Sequence, residues 1–199
     1  MLQYLQRKQN KRRSVIRLLK EIDILHNKMT IILLNILVLP LFFLFLMFFV
    51  HFASSSKGLV LGVSDFFYSL LLSVLLLVIH EGIHGIFFKQ FCLQNPIKFG
   101  MNWKSLMAYA TSPGSLYSRK QMVIISLSPF VVITLMLSIF FMLGWLPAGL
   151  YVFVVSLHAA GCIGNFYYGY LLLWRFRKEA ILVEDTEIGL KIYLDEGAN

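Results

Sequence analysis

Apolar residues run almost unbroken through four stretches of the chain, 29–50, 66–88, 122–143 and 148–174, and polar residues collect between them. At about 1.5 Å per helical residue, each stretch can cross a hydrocarbon core roughly 30 Å thick, so the pattern predicts transmembrane helices. Upstream, Val15, Leu18, Leu19, Ile22 and Leu25 recur at helical spacing, with Arg17, Lys20, Glu21 and Asp23 opposite. That amphipathic stretch, 13–28, reads as a helix lying on the cytoplasmic leaflet. Between spans two and three the period changes. Ile97, Phe99, Met101 and Trp103 alternate with Lys98, Gly100 and Asn102, the signature of a strand. A turn at Lys104-Ser105 would fold it onto a second strand, giving a hairpin over 97–111. Thr111-Ser112-Pro113-Gly114 reads as a turn, Ser118 with Gln121 as a capping box that opens span three, and 187–194 as a final strand.

Composition turns this pattern into a class. The 199 residues are 58% hydrophobic and only 14% charged, too apolar for a soluble domain of this length to cover. The expected architecture is an α-helical integral membrane protein: four transmembrane helices, an N-terminal interfacial helix and a short cytoplasmic-side β-hairpin. With no internal repeat, 1–199 reads as a single membrane domain. Charge adds the orientation. Every Lys and Arg except Lys57 lies before span one, between spans two and three, or after span four. This places both termini in the cytoplasm of a multi-pass cell-membrane protein. The net charge of +8 is accounted for by this topology and by anionic lipid, so no nucleic-acid partner is required. Span one is too long for a signal-peptide core and no small-residue cleavage site follows it, so it is expected to remain. Cys92 and Cys162 are expected to form no disulfide.

The candidate chemistry lies late in span two, at His80-Glu81-Gly82-Ile83-His84. On a helix, His80 and His84 stand one turn apart on one face, the spacing with which two imidazoles share a zinc ion. Glu81 points roughly a quarter-turn away, where it can orient a water and take its proton. A carboxyl at membrane depth costs roughly 2.5–3.5 kcal/mol on insertion scales, which argues for a function. Ser69 and Ser73 extend the same stripe toward the bundle interior. A catalytic zinc site needs a third protein ligand, and span four offers His158, Cys162 and Asn165. Counted from the charged ends of the two spans, Asn165 is nearly level with His80. Cys162 falls about 4–5 Å and His158 about 10 Å further out along a straight helix. Asn165 is favoured by depth, while His158 and Cys162 are favoured by ligand chemistry. Interhelical hydrogen bonding without a metal is the alternative.

A wider set of features accompanies the motif. A basic N-terminus precedes the span-two His-Glu-x-x-His-Gly, a hairpin follows it, and Ser126-Leu127-Ser128-Pro129 opens span three. Gly164-Asn165 lies in span four and Val183-Glu184-Asp185, ending at Gly189, in the tail. Over about 25–194 this order resembles the DUF3267 family of zincin membrane peptidases, distantly similar to site-2 proteases. The resemblance implies His80 and His84 as zinc ligands and Glu81 as the catalytic residue. Gly164-Asn165 stands where that family commonly has Gly-Asp, which leaves the metal with less charge compensation. Asp185 and Gly189 match the family's tail. The implied activity is Zn2+-dependent hydrolysis of peptide bonds in a membrane protein or membrane-bound peptide near the cytoplasmic face, with the hairpin edge aligning the substrate. The alternative is a non-catalytic adaptor, immunity or regulatory protein that keeps a degenerate zincin fold.

Overall fold

The computed structural model describes residues 16–53, 62–102 and 107–197. The basic residues before position 16, Lys57, Trp103 and the Lys104-Ser105 turn lie outside the described residues. Helices dominate. Three are long and apolar enough to cross a membrane: α1 (Lys28–Ala53), α2 (Val63–Phe91) and α3 (Arg119–Met142). Two further helices, α4 (Ala148–Gly161) and α5 (Ile163–Tyr170), continue through a π-helical turn at Leu171–Arg175 and together can make a fourth span. The chain is a multi-pass membrane protein. Its outer surface carries Leu33, Ile36, Leu39, Phe43, Leu71 and Leu135 exposed, as a lipid-facing surface requires.

The fourth span departs from the single straight helix expected over 148–174. It breaks at Cys162, and the two pieces meet at 44°. Gly161 and Gly164 flank the break. Glycine weakens a helix interior, and two so close together make this the cheapest place to bend it.

A larger correction concerns the N-terminus. Where an interfacial helix was expected over 13–28, the structure has strand β1 (Ile16–Asp23), paired antiparallel with β6 (Gly189–Asp195). The register slips between Leu18 and Lys20, so Leu19 is the extra residue of a β-bulge. Adjacent leucines around a bulge imitate helical spacing, which explains the misreading. Pairing with the tail decided the conformation, a contact that local periodicity cannot report. The full sheet runs β1-β6-β5-β4, with β5 at Ile181–Thr186 and β4 at Tyr117–Ser118. The expected final strand is present as β6, while β5 was not foreseen. The expected hairpin is present as β2 (Lys98–Asn102) and β3 (Met107–Thr111), paired antiparallel.

Two cores hold these layers. Among the helices, Phe49, Leu76, Ile133, Leu137, Tyr151 and Val155 are buried, and Tyr151 stacks on Phe141 at 4.5 Å. Beneath them, Phe88, Met122, Ile125 and Leu172 pack on Val183 and Ile192 of the sheet. The expected capping box closes the start of α3: Ser118 N–H donates to Gln121 Oε1 at 2.8 Å, and Gln121 N–H donates to Ser118 Oγ at 3.4 Å. Next to it, the Arg119 guanidinium donates to the carbonyls of Phe176 (2.7 Å), Arg177 (3.0 Å) and Glu179, pinning the end of the fourth span to the start of the third. Gly189 has φ +147°, and a side chain there would strike the Ile22 carbonyl, so β1 can approach only a glycine.

Candidate metal centre

Helix α2 delivers His80, Glu81 and His84 from one unbroken element. The two imidazoles sit 4.9 Å apart, centroid to centroid. Gly85 follows them, and the Phe99 and Ile97 side chains of the hairpin segment pack where its Cβ would be. His84 is buried, and its Nδ1 lies 2.9 Å from the Ile125 carbonyl of α3. That contact requires an N–H on Nδ1, which leaves the Nε2 lone pair available.

His80 has a neighbour on each ring nitrogen. Its Nδ1 is 3.2 Å from His158 Nε2, and its Nε2 is 3.1 Å from Asn165 Nδ2. If the amide donates to His80 Nε2, a neutral His80 carries its proton on Nδ1 and donates to His158 Nε2. The remaining His158 proton is then on Nδ1, a buried atom with no hydrogen-bond partner among the described residues. Cys162 Sγ lies 3.9 Å from His158 Nε2. The ligand atoms of His80, His158 and Cys162 all fall within 4.8 Å of one another, a candidate metal-binding triad.

Asn165 therefore meets His80, as its depth suggested. His158 does so too, against the expectation that it lay about 10 Å out of level on a straight helix. The break at Cys162 is the reason: depth counted along one axis does not carry across a 44° bend.

The donor chemistry fits zinc in two ways. With Zn–N near 2.0 Å, tetrahedral nitrogens stand about 3.3 Å apart, close to the His80–His158 spacing of 3.2 Å. The motif histidines offer a second set. Both have Nδ1 engaged, by Ile125 and by His158, and both can present Nε2, with Asn165 beside His80. Rotating the Asn165 amide exchanges its nitrogen and oxygen and brings the oxygen toward the same position.

The site opens into a cavity of about 560 Å³. Its apolar wall comes from α1 and α2, through Ile31, Leu34, Val38, Leu70, Val74 and Leu77. Helix α1 packs chiefly on α4, and α2 on α3 and α4, which leaves a cleft between α1 and α2. The other wall is β3 and the β5–β6 turn. The backbone N–H of Ala110 lies toward the Glu81 carboxylate, on the edge of β3 that is unpaired among the described residues. Asp185 also lines the cavity. Burial, and after it the nearby carboxylates of Glu81 and Glu184, hold Asp185 well above the ordinary carboxylate range. Sequence reasoning placed Asp185 only in a tail motif. The period of two puts Ile181, Val183 and Asp185 on one strand face, but Leu182 on the Glu184 face is buried too, so local pattern does not tell the two carboxylates apart.

No curated protein and no solved structure matches the chain. The profile of DUF3267, described as "Putative zincin peptidase", matches residues 73–181. That segment contains the whole His80–Glu81–His84 motif together with His158, Cys162 and Asn165, and makes up more than half of the chain. The chain belongs to the DUF3267 family.

Proposed function

We propose that this protein is a membrane-embedded zinc metallopeptidase that hydrolyses peptide bonds of membrane substrates near the cytoplasmic face. The observation that carries the reading is the convergence of His80, His84 and Asn165 beside Glu81 at the wall of one cavity. His80 and His84 would hold zinc through Nε2, with Asn165 as the third ligand. His158 and the Ile125 carbonyl orient the two rings from behind. Zinc bound there supplies a Lewis acid and lowers the pKa of a bound water to about 7. Glu81 takes the proton of the attacking water and gives it to the leaving amine as the C–N bond breaks. The Ala110 N–H lies beside Glu81 at the cavity wall. A helix hides its own peptide bonds, so the substrate unwinds and lies as a strand against the free edge of β3. The distribution of Lys and Arg supports both termini, and this mouth, being cytoplasmic.

Two other readings have specific support. The spacing of His80, His158 and Cys162 favours that trio as the ligands instead. The Asn165–His80–His158 hydrogen-bond chain, which engages both ring nitrogens of His80, favours a non-catalytic adaptor, immunity or regulatory protein. Metal analysis of the purified protein separates them. Zinc near one per chain, lost in His84→Gln and kept in Cys162→Ser, supports the proposed site. The reverse pattern moves the ion to the trio. Absence of zinc from wild type, together with no cleavage that depends on Glu81, leaves the non-catalytic reading.

A further inference from the structure

The cavity is unevenly charged. Glu81, Asp185 and Glu187 line it, and among the described residues no Lys or Arg does. Glu187 at the rim is paired with Lys98 Nζ at 3.0 Å, and Glu81 lies beside the Ala110 N–H. Asp185 has no hydrogen bond or ion pair with any described residue. Its strand explains why it points inward. Asp185 lies opposite Leu190 in the β5–β6 register and on the same face as Val183, both of the latter fully buried. Glu184 faces the other way, where it accepts hydrogen bonds from the Gly114 N–H at 2.6 Å and the Tyr193 hydroxyl at 2.9 Å. The metal centre does not explain Asp185 either, since it is not part of the cluster whose ligand atoms lie within 4.8 Å.

A desolvated carboxyl without a counter-ion is costly, and the cost falls when a cation arrives. The cavity also specifies what the cation is attached to. Its long wall between α1 and α2 is largely aliphatic, and Asp185 lies on the other wall, in the sheet and near Glu81. We propose that Asp185 is a specificity-determining residue that binds a Lys or Arg side chain of the substrate, selecting apolar membrane segments with a basic residue just beyond the scissile bond. The aliphatic part of the substrate lies between α1 and α2. Its cation pairs with Asp185 and sets which peptide bond faces Glu81. Basic residues are enriched where membrane helices enter the cytoplasm, so such segments are abundant. This inference rests on the peptidase reading for the cleavage step, though the binding preference can be measured without it.

The test uses full-length Glu81→Gln protein in detergent micelles, so that no peptide is consumed. Two fluorescent probes share one Leu/Ala segment and end in Lys-Lys or in Gln-Gln; binding is read by anisotropy. The Lys probe is expected to bind about tenfold more tightly, the scale of one close charge pair. Adding Asp185→Asn, nearly isosteric, should reduce the preference to about twofold or less, and Asp185→Lys should make the Gln probe the better ligand. An unchanged elution profile and thermal midpoint for Asp185→Asn show that the fold is retained. Equal binding of both probes by the Asp185-containing protein overturns the inference, as does a preference that survives Asp185→Asn. If zinc and Glu81-dependent cleavage are found without the preference, this inference alone falls. If the preference is found without zinc or cleavage, the peptidase reading falls and cation recognition stands.

Discussion

Val63–Phe91 presents His80, Glu81 and His84 from one continuous helix, whereas His158, Cys162 and Asn165 come from a span that breaks between them. On the continuous helix the relative positions follow from 3.6 residues per turn, and the rings can adjust only through their rotamers. In the broken span, backbone direction is a second variable. The 44° change at Cys162 brings His158 from one segment and Asn165 from the next onto opposite ring nitrogens of a single histidine. A metal centre built this way takes two donors from a rigid spacing and recruits the rest through an irregularity. The irregular half must then be fixed from outside, which Arg119 does by holding the carbonyls beyond the π-helical turn.

The contrast can be broken most directly at Glu81. Glu81→Gln is expected to lower turnover of a membrane peptide by about 10²–10⁴-fold while zinc content, measured by atomic emission, stays near wild type. Retained turnover would mean that the continuous helix does not supply the base. Next in size is the metal itself. His84→Gln should remove most bound zinc, and Cys162→Ser should leave it, if the continuous helix supplies the principal ligands. His158→Gln sharpens the comparison, since a residue that orients His80 from behind should cost about 10–100-fold in zinc affinity, measured by competition with a chromogenic chelator, without abolishing binding.

Smaller effects concern the supports. Arg119→Met removes the guanidinium from three carbonyls and should destabilise the protein by about 2 kcal/mol, seen as a lower thermal midpoint in detergent. Zinc affinity should fall with it, because the end of the broken span is released. Ser118→Ala removes half of the capping box and should cost about 1 kcal/mol in the same assay, with little change in zinc affinity.

Legibility from sequence followed the range of the interaction. The Ser118–Gln121 cap spans three residues and is readable, as is the alternation that puts Phe99 and Met101 on one face of β2. Leu18 and Leu19 were misread because a bulge resembles a helical step, and only the partner strand, at the far end of the chain, separates the two. Helical counting puts His158 too far from His80 because nothing in Ala159-Ala160-Gly161-Cys162 fixes the direction of a bend, although the glycine permits one.

The sequence by itself determined that this chain lives in a bilayer and that a His-Glu-x-x-His motif sits inside one of its helices, because apolar length and helical spacing are local properties. The tertiary structure decided which groups surround that motif. His80 meets His158 across 78 positions and Asn165 across 85, Glu81 meets Ala110, and Asp185 enters the same cavity from the tail. Contacts of that range depend on how the spans pack and where one of them bends, and the packing energy that selects them is a property of the assembled bundle rather than of any segment.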